Sequence, residues 1–208
     1  MADAWRTALL SAAAFVLCCA GFWLFFANPW PLLLSLPTLM WIAFYSLTKR
    51  FTWASHFFLG AALAASPLAA AIAVEPGTLA SAQALWLIAL MVLLWVAGFD
   101  ALYALQDVDF DRRAGLCSLP ARFGPAAARA VAFTLHLGAI AALLAAWRIE
   151  PRFGGLFLAG AAAASLLLLL EHALLALRGL AALPLAFFTV NGVVSLLLGA
   201  AGCVDALR

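Results

Sequence analysis

Long apolar runs, each ended by a short polar break, dominate the chain. They fall at roughly 7–27, 31–47, 57–74, 84–105, 127–147, 153–176 and 184–206. A helix of about 20 apolar residues crosses the hydrocarbon of a bilayer. The pattern therefore predicts an all-α, polytopic transmembrane bundle of about seven spans. The breaks carry helix-ending chemistry: Asn28-Pro29-Trp30-Pro31, Lys49-Arg50, Glu75-Pro76-Gly77, Glu150-Pro151-Arg152 and Arg178-Gly179. The alternating signature of a membrane β-barrel is missing from the sequence. The first run is long for a signal peptide, and no small-residue cleavage site leads from it into a soluble domain. It is read as a span, and residues 1–208 as one membrane-embedded domain.

Composition sharpens this picture. Hydrophobic residues make up 68% of the 208 and charged residues 10%, against about 45–50% and about 25% in soluble domains. The lipid bilayer is thus the chain's main partner. A net charge of +2 gives no footing for nucleic acid. Cys18, Cys19, Cys117 and Cys203 lack metal-ligand or disulfide spacing and read as small apolar residues. Most of the eight tryptophans fall near run ends, as in an aromatic belt.

The basic residues predict an orientation. With seven spans, Arg6, Lys49, Arg50, Arg112, Arg113, Arg122, Arg129 and Arg178 share one side, and Arg148, Arg152 and Arg208 the other. Cytoplasmic loops carry the excess of Lys and Arg, so the 106–126 loop is expected in the cytoplasm and the C-terminus outside.

That loop holds the chemistry. Asp100, Asp107, Asp109 and Asp111 are four of only nine acidic residues. Carboxylates at membrane depth are costly and mark function. On a continuous helix turning about 100° per residue, Asp107 and Asp111 fall within about 20° of Asp100. Tyr103 shares that stripe and Asp109 faces away. Stacked carboxylates need a positive partner, either Mg²⁺ or Ca²⁺ or the nearby arginines. An EF-hand is excluded because Arg112 stands where its glycine belongs and Ser118 where its bidentate glutamate belongs. Mg²⁺ fits better, since it takes one or two carboxylates and fills its shell with water and phosphate. Arg112, Arg113 and Arg122 suit phosphate oxygens or, alternatively, anionic lipid headgroups.

Tyr45 and Lys49 are four residues apart, hence helix neighbours, with Arg50 beside them. Three further polar groups interrupt later runs: Glu171, His172 and Asn191. Two readings apply to them, recognition of a polar ligand group and hydrogen-bonded helix packing. His136 is given no role, and His56, beside Trp53, is expected at the membrane interface.

The pattern Phe99-Asp100-x-x-Tyr103-x-x-Gln106-Asp107-x-x-x-Asp111-x-x-x-Gly115-x-x-Ser118-x-Pro120-x-x-Phe123-Gly124 resembles the second aspartate-rich motif of the UbiA-type intramembrane prenyltransferases. Tyr45-x-x-x-Lys49 resembles the Tyr-x-x-x-Lys motif of that family, and the order and separation of the two motifs also match. The flavour is that of the bacterial 4-hydroxybenzoate and naphthoate polyprenyltransferases.

The resemblance implies Mg²⁺-dependent transfer of a polyprenyl group from its diphosphate to a hydroxylated aromatic acid, in ubiquinone or menaquinone biosynthesis. It implies Asp100, Tyr103, Asp107 and Asp111 as catalytic, with Asp107 and Asp111 on the metal. Tyr45, Lys49, Arg50 and Arg113 would meet the diphosphate, and Glu171, His172 and Asn191 the acceptor. Asp100 would take a phenol or ring proton, or hold a second metal. The expected place is a bacterial inner membrane, with the site on its cytoplasmic side.

One departure stands out. Family members carry a first motif, Asn-x-x-x-Asp-x-x-x-Asp, after the second of nine helices, whereas here no acidic residue lies between Asp3 and Glu75. The seven runs are therefore expected to match the third to ninth helices of an N-terminally truncated or degenerate member. An ion transporter and a non-catalytic remnant are the competing readings. The Asp-x-x-Asp-Gly-x-x-Ala-Arg opening of the CDP-alcohol transferases does not occur.

Overall fold

The structure is a computed structural model that describes residues 2–183 and 189–208. Its described residues are helical or in turns, with no strand among them. The long helices are α1 (Ala2–Phe26), α2 (Trp30–Thr48) and α3 (Ser55–Val74). A single turn, α4 (Thr78–Ser81), leads to α5 (Gln83–Tyr103). A 3₁₀ turn (Ala104–Asp107) and the short helices α6 (Val108–Arg113) and α7 (Leu119–Phe123) follow. Then come α8 (Pro125–Ile149), α9 (Gly155–Arg178) and α10 (Asn191–Ala206).

Among the described residues, six helices are long and apolar enough to cross a membrane. They coincide with the first six apolar runs of the sequence. The seventh run begins on residues outside those described, and its described part, α10, has 16 residues.

The long helices pack in chain order, each against the next, with α5 between α3 and α8. α5 is the most buried of them and α1 the least. Apolar side chains gain little from leaving lipid for protein, so close backbone approach must hold such helices together. Small residues provide it. Gly60 of α3 leaves its α5 neighbour so near that a Cβ would stand 2.5 Å from the Leu93 carbonyl oxygen. Ala128, Ala132, Ala139, Ala142 and Ala146 line the buried face of α8. Opposite them, α5 presents the buried Ala97, Gly98 and Ala101. Gly98 makes room for the His136 ring, which a Cβ there would overlap.

Polar groups fix the helix ends. Asn28 donates from Nδ2 to the carbonyls of Ile72 and Ala73, at 2.7 and 3.1 Å, closing the α3 C-terminus. At the same end of the bundle, the Phe157 N–H donates to Asp205 Oδ2 at 2.7 Å. The α10 tip thus supplies an acceptor to the first turn of α9, whose N–H groups lack helical partners. This places the α10 C-terminus opposite the α2–α3 turn, as the span count predicts.

Candidate active site

The site forms where α2, α3 and α5 end together. The chain leaves α2 through a tight turn at Lys49 and Arg50 and re-enters a helix at Ser55. The Cys117 N–H donates to the Lys49 carbonyl at 2.7 Å, tying the aspartate-rich loop onto that turn. Gly115, at φ 68°, and Gly124, at φ 89°, take left-handed conformations that glycine tolerates best, and they bracket α7. Pro120 is the second residue of α7, and Pro125 starts α8.

A cavity of about 140 Å³ opens there. Tyr45, Lys49, His56, Asp100, Tyr103 and Asp107 line it, with Ser46, Ser55 and Ala104. The helical pairing of Tyr45 with Lys49 holds, and both reach the cavity together with Asp100, Tyr103 and Asp107.

Asp111 departs from the expected stripe. The chain is not one helix from 100 to 111, because the 3₁₀ turn at Ala104–Asp107 interrupts it. A 3₁₀ helix turns about 20° further per residue than an α-helix. Asp107 lies on the cavity wall, whereas Asp111 is not among the lining residues. Asp111 is fully buried, and Lys49 Nζ lies 2.9 Å from its Oδ2. That contact balances charge without hydrogen-bond alignment, and Oδ1 also lacks a hydrogen-bond partner. Ser55 Oγ and Ser118 Oγ are likewise buried and unpartnered. Asp109 is exposed, as expected. Arg50 and Arg113 are exposed and do not line the cavity.

His56 corrects the sequence reading. It is 2% exposed and is no interface residue. Its Nδ1 lies 2.6 Å from Asp100 Oδ2, and its Nε2 accepts the Leu119 N–H at 3.2 Å. An amide N–H can only donate, so Nε2 is bare and the ring proton sits on Nδ1, facing Asp100. His56 thereby joins α3, α5 and α7. Its place seven residues after Lys49, at the start of a run, was the only sequence signal for it.

The three later polar residues lie elsewhere. His172 Nε2 lies 2.9 Å from His136 Nδ1, and His136 Nε2 lies 3.2 Å from the Trp95 carbonyl. The carbonyl can only accept, so His136 donates from Nε2 and accepts from His172. Trp95 Nε1 donates to Asn191 Oδ1 at 2.8 Å. His136, expected to stand alone, is thus the centre of a network joining α5, α8, α9 and α10. Trp95 is a core residue rather than a belt residue. Glu171 is 1% exposed, with Oε2 unpartnered. None of Glu171, His172 and Asn191 lines the carboxylate cavity. Asn191 instead faces an apolar groove of about 400 Å³, together with Leu63, Pro67, Val92, Val96 and Phe99.

The chain has recognisable relatives. The UbiA prenyltransferase family matches residues 3–204. A 4-hydroxybenzoate octaprenyltransferase of Pseudomonas fluorescens (strain SBW25) is 37% identical over 140 residues, 66% of this chain and 45% of the relative. One from Alkalilimnicola ehrlichii is 35% identical over 154 residues, 73% of this chain and 50% of the relative. The chain thus matches about half the length of these relatives. Among solved structures, the apo structure of a UbiA homolog from Aeropyrum pernix K1 superposes with a TM-score of 0.83 at 30% identity. That match covers 98% of this chain and 72% of the other. With its two motifs on one cavity and a family match along nearly its whole length, this polytopic membrane protein belongs to the UbiA prenyltransferase family.

Proposed function

We propose that the chain carries the transfer of a polyprenyl group from its diphosphate to a hydroxylated aromatic acid, 4-hydroxybenzoate or a dihydroxynaphthoate. The observation that carries this reading is the gathering of Tyr45, Lys49, Asp100, Tyr103 and Asp107 around one cavity at the ends of membrane helices. The cavity is too small for a whole lipid substrate, since such sites hold about 300–1,000 Å³. It suits a polar head. The apolar groove bordered by Val92, Val96 and Phe99 lies on the same helix as Asp100 and suits a prenyl tail.

The residues fit a hard divalent cation. Asp107 lines the cavity, and Asp111 keeps a buried oxygen without a hydrogen bond. Mg²⁺ needs only one or two carboxylates when substrate phosphate completes its shell. Asp107 and Asp111 would hold it, and when bound it would neutralise charge growing on the leaving diphosphate.

The chain's own groups do the rest. Lys49 meets diphosphate oxygens as a point charge. The allylic C–O bond breaks with its electron pair on the diphosphate. A ring carbon of the acceptor supplies the pair for the new C–C bond and then loses its proton. The ring faces of Tyr45 and Tyr103 stabilise the transient allylic cation. Apolar helices exclude the water that would quench it. Arg50 and Arg113 are exposed outside the cavity, where they would draw the anionic donor in. Glu171 and His172 act in helix packing, while Asn191 borders the tail groove. The positive-inside bias puts the cavity at the cytoplasmic face.

The test is a transfer assay with the protein in lipid nanodiscs, a polyprenyl diphosphate, either acceptor, and Mg²⁺. A prenylated acid that forms with Mg²⁺ and disappears with a chelator supports the reading. No product from either acceptor contradicts it.

A further inference from the structure

His56 is built into the cavity wall on two hydrogen bonds that leave it a single arrangement. Its Nε2 is held by the Leu119 N–H at 3.2 Å, and its Nδ1–H lies 2.6 Å from Asp100 Oδ2. Both ring nitrogens are used, and the ring is 2% exposed. Asp100 is different. Its side chain is 25% exposed, it borders the cavity, and among the described residues only Oδ2 has a hydrogen bond.

We infer that His56 is a positioning residue for the transfer reaction: it fixes the plane of the Asp100 carboxyl group and turns Oδ1 toward the acceptor, to receive the proton the acceptor gives up. The inference rests on the proposed transfer and assigns Asp100 the proton rather than a second metal. The bond to Oδ2 fixes the plane of the group and leaves Oδ1 for chemistry. Because the histidine is itself pinned by α7, that plane is set only when the loop carrying Leu119 is docked. Of the other groups around the cavity, Lys49 is drawn to Asp111, and Tyr45, Ser55 and Tyr103 line the wall with hydroxyl groups. Asp107 is the remaining carboxylate on the wall. Supporting groups of this kind, which never touch substrate, orient the group that does.

A plain role in helix packing would tie α3 to α7 and nothing more. Two substitutions in the full chain separate the roles. His56→Gln supplies an amide whose N–H and carbonyl oxygen reproduce both bonds, while His56→Leu keeps the bulk and removes both. Transfer is measured in nanodiscs, with kcat and the KM for the diphosphate donor determined separately. His56→Gln should stay within about threefold of the parent kcat, and His56→Leu should lose about tenfold to a hundredfold with donor KM within about twofold. If His56→Leu keeps the parent kcat, or if both variants fall together, the inference fails and the transfer reading stands. If the parent chain itself transfers nothing, the reading fails and the inference with it. Should His56→Leu not fold, the ¹⁵N spectrum of His56 in the parent protein decides the geometry. A protonated Nδ1 and bare Nε2 support the inference; the opposite tautomer overturns it.

Discussion

Lys49 Nζ stands 2.9 Å from Asp111 Oδ2, so the lysine of one motif neutralises the last aspartate of the other. Asp111 is fully buried and Lys49 about one-third exposed, and of the two only the lysine lines the cavity. Removing the cation leaves a buried carboxylate without compensation, which is destabilising. Lys49→Met should therefore lower stability by about 2 kcal/mol, a value reduced for the exposure of the lysine. Thermal unfolding in detergent checks this. Lys49→Met combined with Asp111→Leu should regain most of the loss, because an apolar pair leaves no charge to bury.

Gly98 is the contact surface for the His136 ring. A methyl group there would overlap the imidazole, which is held by the Trp95 carbonyl and by His172. Gly98→Ala should destabilise by about 1–3 kcal/mol through overpacking, despite the better helix propensity of alanine. Reversible unfolding in mixed micelles measures it. Gly192, with nothing near its missing Cβ, is the control: Gly192→Ala should be neutral or stabilising.

Asp205 reaches across from α10 to the Phe157 N–H. Asp205→Ala should cost about 1–2 kcal/mol, in the range of a lost helix cap. Hydrogen exchange should show faster opening confined to the α9 N-terminus and the α10 tip. Asp205→Asn keeps the acceptor oxygen and should recover most of that protection.

The same end-to-end arrangement allows a test of the side of the membrane. Asp205 and Arg152 lie at the opposite end from Lys49 and Asp107. A reporter fused after Arg208 should report the outer face, and one inserted after Gly115 the cytoplasmic face.

Spans were legible in the sequence because about 20 apolar residues in a row have few alternatives to a membrane helix. The two motifs were also legible, since Tyr45 with Lys49 and Asp100 with Tyr103 each lie on a single helix, where periodicity sets the shared face. The reading failed where the helix did. The 3₁₀ turn at Ala104–Asp107 carries no proline or glycine to announce it, and beyond it Asp111 forms a buried pair with Lys49. His56 and His136 escaped for another reason. Their partners, Asp100 and His172, lie 44 and 36 residues away, and spacing along a helix says nothing about contacts between helices. Trp95 looked like its neighbours in composition, and only the fold shows its indole N–H bonded to Asn191.

The central claim is that Asp107 and Asp111 serve prenyl transfer as a pair. Its most direct test is product formation from a polyprenyl diphosphate and 4-hydroxybenzoate by Asp107→Ala and Asp111→Ala beside the parent chain. The parent should form the prenylated acid. Each variant should lose at least about a hundredfold in rate, as expected when charge stabilisation at the leaving group is removed. Parent-level turnover in both variants would contradict the account.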